Sequence, residues 1–411
     1  VADAEVIVVG AGPAGSSTAW HLARAGVDVL LLDRAGFPRD KVCAEYLSPQ
    51  ASRILAGMGA LERLEHAGVA QLAGMRVRAP NGREIVGRFA ARHHGFRGFR
   101  DRGLAVRRTV LDATLLDRAR EAGARVHERV HVTDILRDDT GRVRGVVASN
   151  ADGERHALET PLVIGADGLR SVIGRRLGLT HVARAPRRMA FVAHYRGIAA
   201  IGDMGEMHVE RDGYVGIADI GDGICNVALV LPARAVGALP RDTDALHDTW
   251  IAEHPHLAER FRDATRLDSV RATGPFATAA RPAWAPGAAL VGDAAEFFDP
   301  FTGEGVYKAL RGGELLAPFA QRAARADTVR GADAALREYE SERRAEFGGK
   351  WLVEKLIGGT VAVPALINHA ARALTRRPEM ADLLVGVAGD FIPAREVLRA
   401  GYFARLLLFG V

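Results

Sequence analysis

Cysteine is almost missing from this chain: Cys43 and Cys225 are the only two in 411 residues. That excludes a disulfide framework and a clustered Cys/His metal site. Lysine is nearly as scarce, with Lys41, Lys308, Lys350 and Lys355 making the whole set. Arginine therefore carries nearly all the positive charge behind a net charge of +5. It is spread along the chain, which reads as a solvated surface and not as a nucleic-acid track. A basic face toward an anionic substrate, a carrier protein or a membrane is the alternative. No apolar run reaches 18 residues, so no transmembrane helix is expected. Internal repeats and low-complexity segments are also lacking.

What is present begins at once. Residues 5–33 read EVIVVGAGPAGSSTAWHLARAGVDVLLLD. Glu5 to Val9 is a short β-branched run, the pattern of a buried parallel strand. Gly10, Gly12 and Gly15 follow at G-x-G-x-x-G spacing, with Pro13 and Ala14 between them. Gly10 allows a tight turn, Gly12 lets a pyrophosphate approach the backbone, and Gly15 lets helix and strand pack closely. A helix to Gly26 presents free N–H groups and a positive dipole end to phosphates. Val27 to Leu32 is a second strand, closed by Asp33, which is placed to accept from a ribose hydroxyl, with Arg34 beside it. The order strand, turn, helix, strand, acid is that of a dinucleotide site. It does not by itself choose between NAD and FAD. So early a motif leaves no room for a signal peptide, and cytoplasmic residence is the expectation.

Gly36 and Pro38 make residues 34–49 a loop, and Ser48 is expected to cap a helix starting near Pro49. A helix opens at Thr109 or Asp112 and runs to Ala122. Residues 189–197, 205–210, 214–219 and 224–231 alternate as strands, followed by a polar helical stretch near 242–262. From 329 onward the pattern is mostly helical, with an amphipathic stretch at 351–374 and an apolar end at 398–411. Packing onto the rest of the protein is the expected use of both, with membrane docking the alternative.

Two further stretches follow buried strands. In Gly165-Ala166-Asp167-Gly168-Leu169-Arg170-Ser171, Asp167 can accept from a hydroxyl, Gly168 permits close approach, and Arg170 and Ser171 begin a helix. In Gly292-Asp293-Ala294-Ala295, Asp299-Pro300 and Gly303-Glu304-Gly305, Asp293 is a second hydroxyl acceptor. The glycines leave the helix starting at Val306 with a bare N-terminus. Such a terminus favours negative charge on a neighbouring group. A reduced flavin carries that charge and a nicotinamide does not, so FAD is the expected resident cofactor.

The three stretches, in this order, resemble the FAD-binding fold of the para-hydroxybenzoate hydroxylase superfamily over nearly the whole chain. The resemblance implies that the first motif binds the ADP of FAD, that Asp167 and Gly168 touch FAD, and that Gly292 and Asp293 hold its ribityl chain. Arg108 with Leu111 is similar to the superfamily's R-x-x-L, and Arg107 is the neighbouring alternative. NAD(P)H is implied as a transient reductant. The stretches Pro38–Cys43, Leu47-Ser48-Pro49 and Asp299–Val306 look like the geranylgeranyl reductase branch; Pro300, Gly303, Gly305 and Val306 then belong to the flavin site. The aromatic hydroxylase's Gly-Gly-Gln-Gly-x-Asn and the halogenase's W-x-W-x-I-P are both missing. Two departures stand out: Ala44 replaces the reductases' glycine, and Gly213-Tyr214-Val215-Gly216-Ile217-Ala218 loses the Trp, Phe and Pro of their substrate-sheet element.

The expected architecture is α/β: a FAD-binding Rossmann-like domain (1–72, 101–184, 286–330) interleaved with an antiparallel-sheet substrate domain (73–100, 185–285), and a helical C-terminal region (331–411). The candidate catalytic residues are Cys43, Glu45 and Tyr214. Arg39 and Lys41 are expected to lower the Cys43 thiol pKa; it donates a proton or is a packed small residue. Glu45 is its acid–base partner or simply exposed. Tyr214 meets substrate or packs in the sheet, Cys225 is buried, and Glu304 orients its loop or caps the next helix. His93 and His94 edge a substrate entrance or form a surface loop. The expected function is an FAD- and NAD(P)H-dependent oxidoreductase reducing a C=C bond of an apolar small molecule. The alternatives are a hydroxylase acting on a polyketide or similar metabolite, a cyclase using FAD structurally, and a non-catalytic binding protein on the same fold.

Overall fold

A computed structural model describes residues 2–91, 95–182, 187–236 and 242–408. His93 and His94 lie outside the described residues. Strand Val6–Val9 sits inside a six-stranded sheet in the order Trp284–Ala285, Ala288–Leu290, Leu162–Gly165, Val6–Val9, Val29–Asp33, Arg125–Glu128. All its pairings are parallel except the outermost, at Trp284–Ala285. The inner strands are short, unbroken apolar runs because both faces are covered. Helices Pro13–Arg24 and Gly305–Ala324 pack on one face through Val6, Val8, Leu22 and Leu316. A three-stranded meander, His131–Arg137, Val143–Ser149 and Arg155–Glu159, covers the other through Val132, Val143 and Val146.

The second large sheet has eight strands. Its longest pairing is antiparallel, Arg188–Arg196 against Ile224–Pro232, with His194 opposite Asn226. Strand Gly74–Arg78 enters it parallel to Met204–Val209 and carries Glu84–Arg88 as a hairpin partner. Helices Thr243–Glu253 and Pro255–Phe261 back one face, through Leu246, Trp250 and Leu257. The other face turns toward the first sheet and the C-terminal helices, through Ala190, Val192, Ala228 and Val230. The mixed α/β architecture with a parallel nucleotide-type sheet, a mainly antiparallel second sheet and a helical end is thus the expected one.

Some local expectations need correction. The helix expected at Pro49 starts at Ala51, although Ser48 Oγ still accepts from the Ala51 N–H at 3.2 Å. The helix expected at Arg170 starts at Val172, with Ser171 as its cap through the Gly174 N–H. The stretch 351–374 is not one helix: Val329–Val361 ends and Pro364–Arg376 restarts, because proline at 364 has no N–H to continue the ladder. The last helix, Ala400–Leu408, has no fully buried residue, so packing alone does not explain its apolar composition.

Candidate active site and cofactor cradle

A cavity of about 600 Å³ lies where the two sheets face each other. Gly10, Gly12, Pro13, Ala14, Asp33 and Arg34 line one part of it. Cys43, Arg108, Asp167, Gly168, Asp293, Pro300, Gly303, Gly305 and Val306 line another. The side toward the second sheet is apolar, through Ala190, Val192, Ala228 and Val230 with Phe276 and Phe297, while Arg39, Asp40, Lys41, His131 and Arg170 add charged and polar groups elsewhere on the wall. Residues far apart in the chain therefore share one wall, as the sequence pattern required.

The glycine turn has the geometry of an anion cradle. Gly10 has φ of +99°, and a Cβ on Gly15 would sit 1.7 Å from the Gly10 carbonyl oxygen, so helix and strand touch there. Gly12 instead is not pressed by backbone: the first atoms a Cβ would meet are the guanidinium nitrogens of Arg39 at 3.4 Å and Arg108 at 3.9 Å, an ordinary contact distance. Gly12 caps the following helix without a side-chain hydrogen bond, leaving its first N–H groups free. Two guanidiniums converge on one buried carboxylate: Arg108 donates to Asp112 at 2.8 and 2.7 Å, and Arg39 reaches it at 3.1 Å. Arg39 also lies 3.9 Å from Asp33, so the two guanidiniums sit over Gly12 held by two carboxylates.

Asp33 lines the cavity with its carboxylate already oriented by the Ala11 N–H (2.7 Å) and the Ala35 N–H (2.8 Å). Asp167 Oδ2 accepts from Val172 and Ile173 at 2.6 and 3.3 Å, while its Oδ1 is buried without a partner. Burial pushes the Asp167 carboxyl up. Asp293 is likewise pushed up by burial, against the pull of Lys41, Arg108 and Lys308. Lys41, on the same wall, is pushed down by burial, with Asp293 opposing. Helix Gly305–Ala324 points its uncapped N-terminus into the cavity through Gly305 and Val306.

Several expected residues take other parts. Arg107 does not line the cavity; it pairs with Asp40 at 3.5 Å and Asp268 at 3.7 Å, and Arg108 is the buried arginine. Gly292 also lies off the lining, and its hydrogen matters for packing, since a Cβ would meet that of Ala14 at 2.7 Å. Tyr214 is 1 % exposed and off the cavity lining, and its hydroxyl donates to Asp299 at 2.8 Å, so here it holds the sheet. Glu304 does not cap its helix; its buried carboxylate faces Lys308 at 3.4 Å. Cys225 is buried, as expected.

Cys43 lines the cavity, but its thiol pKa moves opposite to expectation. Burial pushes it up more than the neighbouring Arg108 pulls it down. Arg39 is committed to Asp112, and Lys41 faces Asp293. The thiol is thus held in its protonated form at neutral pH. Glu45 is neither exposed nor on the cavity lining. It adopts φ of +58°, a conformation non-glycine residues rarely take. Its N–H reaches Cys43 Sγ at 3.3 Å, and its Oε1 accepts from the Arg108 N–H at 2.8 Å. Its Oε2 meets His194 Nε2 at 2.9 Å and Asn226 Nδ2 at 3.1 Å. Asn226 Nδ2 also donates to the Cys43 carbonyl at 2.9 Å. His194 completes the chain through Nδ1 to Asp268 at 2.6 Å. Burial would lower the His194 pKa, but Glu45 and Asp268 together raise it. Sequence reasoning missed His194, Asn226 and Asp268. The available signal was a polar residue inside an apolar run, His194 after Met189–Ala193 and Asn226 within Ile224–Leu231; nothing marked Asp268.

Comparison with known proteins fits this geometry. Residues 3–194 match the FAD binding domain family. The chain is 30 % identical over 403 residues to digeranylgeranylglycerophospholipid reductase 2 of Methanopyrus kandleri, covering 94 % of this chain and 93 % of that one. The chain belongs to the FAD-dependent digeranylgeranylglycerophospholipid reductase family. This reductase-family protein is also 29 % identical to the menaquinone reductase of Mycolicibacterium smegmatis, over 76 % of this chain and 75 % of that one. Among solved structures, the myxobacterial chondrochloren halogenase, an FAD-dependent halogenase, superposes with a TM-score of 0.78 at 26 % identity, covering 85 % of this chain and 81 % of that one.

The residues of this cavity fit FAD. The bare backbone of Gly12 under two arginines suits a pyrophosphate, and the orphaned Asp167 Oδ1 awaits a hydroxyl donor. The bare N-terminus at Gly305 suits the charge of a reduced flavin ring.

Proposed function

We propose that the protein saturates C=C bonds in the isoprenoid chain of a lipid, using NAD(P)H as the ultimate reductant. The observation that carries this reading is Cys43, a thiol that burial keeps protonated, on the wall of a cavity whose second-sheet side is apolar through Ala190, Val192, Ala228 and Val230. FAD, once bound and reduced by NAD(P)H, supplies a hydride to one carbon of the double bond. Cys43 gives its proton to the other carbon, so hydride and proton together add two hydrogens. Arg108 stabilises the thiolate left behind, and solvent returns the proton. Ala190, Val192, Ala228 and Val230 keep water away and leave width for a flexible chain because their side chains are small. The Glu45–His194–Asn226 cluster holds the turn that aims Cys43. The need for nicotinamide supports a cytoplasmic location.

The test is anaerobic single turnover. Photoreduced protein is mixed with a geranylgeranyl lipid, and flavin reoxidation is followed with mass analysis of the lipid. Reoxidation with a gain of two hydrogens is expected. Reoxidation only with oxygen, with an oxygen atom in the product, would replace the reading with hydroxylation.

A further inference from the structure

Large apolar side chains are not exposed evenly over the described surface. Leu352 (48 %), Leu356 (41 %), Val363 (43 %), Leu366 (52 %), Leu407 (65 %) and Leu408 (71 %) gather at the C-terminal end. Leu352 and Leu356 stand one turn apart on helix Val329–Val361. Val363 and Leu366 sit at the elbow where that helix turns by 110° into Pro364–Arg376. The last helix is tied to this elbow by His369 Nε2 and the Leu406 carbonyl at 3.1 Å. The inner side of the same elbow packs behind the cavity wall. Val361, Ile367 and Leu406 belong to one apolar cluster with the cavity-wall residues Ala190, Val192 and Phe297. Apolar packing thus runs from the exposed elbow to the back of the cavity wall.

The rim is cationic. Residues 351–408 contain seven basic and five acidic residues. Two of the acids, Glu354 and Asp390, are buried against Lys308 and Lys350, which leaves three acids outside. Lys355, between Leu352 and Leu356, is exposed, and so is Arg405 beside Leu407.

We propose that this elbow docks the protein on an anionic phospholipid bilayer, without spanning it. The proposal rests on the lipid reading above: an isoprenoid lipid resides in a bilayer, and its chain must leave the bilayer to reach the cavity whose wall the elbow packs against. Apolar side chains on a bent helical pair enter the headgroup–acyl boundary to about 5–10 Å, and the surrounding cations meet anionic headgroups. No single described helix is long and apolar enough to cross a membrane; the bent pair Val329–Val361 and Pro364–Arg376 is so only when taken together across its 110° break, and the first of the two is held in the protein through Leu336, Tyr339, Phe347 and Val353, which fits a surface-bound mode.

The test is co-sedimentation of the FAD-loaded full chain with vesicles of phosphatidylglycerol and phosphatidylcholine or of phosphatidylcholine alone. At least tenfold stronger binding to the anionic vesicles is expected, weakening with salt. The exposed-site double variant Leu356→Glu/Leu366→Glu should lose at least tenfold of that binding while keeping its flavin spectrum. The charge reversals Lys355→Glu and Arg405→Glu should lower binding without touching the apolar face. Equal sedimentation of wild type and double variant would overturn the proposal. So would a dimer that becomes monomeric in the double variant, which would assign the face to a second copy of the chain. If vesicle binding holds but detergent-dispersed geranylgeranyl lipid is not reduced, the substrate reading fails and docking stands. If that lipid is reduced but vesicles are ignored, docking alone fails.

Discussion

Replacing His194 by leucine removes the middle of a buried charge chain and should cost the protein far more than its volume suggests. The ring is 1 % exposed, 2.9 Å from Glu45 and 2.6 Å from Asp268. Breaking a buried ion pair by deleting one partner costs about 3–5 kcal/mol. Asp268 is 29 % exposed and recovers water, so its share is small. Glu45 is 1 % exposed but keeps the Arg108 N–H and the Asn226 amide as donors. The loss should therefore fall at the lower end, about 3 kcal/mol. The effect carries a pH signature. The His194 pKa is raised in the folded protein, so the native state holds the proton more tightly than the unfolded chain. That stabilisation is fully present below the ordinary histidine value of about 6.5 and disappears as pH rises through the higher folded value. Urea unfolding of His194→Leu and wild type, followed by tryptophan fluorescence from about pH 6 to 9, should show the gap narrowing with rising pH. A gap below about 1 kcal/mol at the acid end, or one that does not change with pH, would refute the charged-ring account.

Cys43→Ala should keep its flavin absorbance but slow anaerobic lipid reduction by about 10²–10⁴, the range for loss of a positioned general acid; unchanged turnover would make Cys43 a packing residue. Gly15→Ala should lose bound flavin, because its methyl group would lie 1.7 Å from the Gly10 carbonyl; a full flavin complement in the purified variant would contradict the close contact. Tyr214→Phe should cost about 1–2 kcal/mol through the lost hydrogen bond to Asp299 and leave turnover intact. A selective loss of turnover would return Tyr214 to the substrate site. Alkylation of Cys43 by iodoacetamide should rise only at pH above the usual thiol range, since burial holds its pKa up; half-maximal reaction near neutrality would show an activated thiolate instead.

The cofactor side of this protein is legible from the chain alone. Gly10, Gly12 and Gly15 act on neighbours within a few residues, and Asp33, Asp167 and Asp293 each stand at or just past the end of an apolar strand, so local pattern and chain order suffice to gather them. The catalytic side was decided in three dimensions. Arg39 and Lys41 look in sequence like activators of Cys43, but Asp112 takes the first and Asp293 faces the second, and burial then governs the thiol. Tyr214 carries a hydroxyl that Asp299, 85 residues away, claims for the sheet. Glu45 and His194 lie 149 residues apart, and only the register that sets His194 opposite Asn226 brings both toward one carboxylate. Backbone turns and phosphate cradles are short-range physics and are written in consecutive residues. The charge state of a buried side chain depends on every group packed around it, and that is known only once the strands have paired.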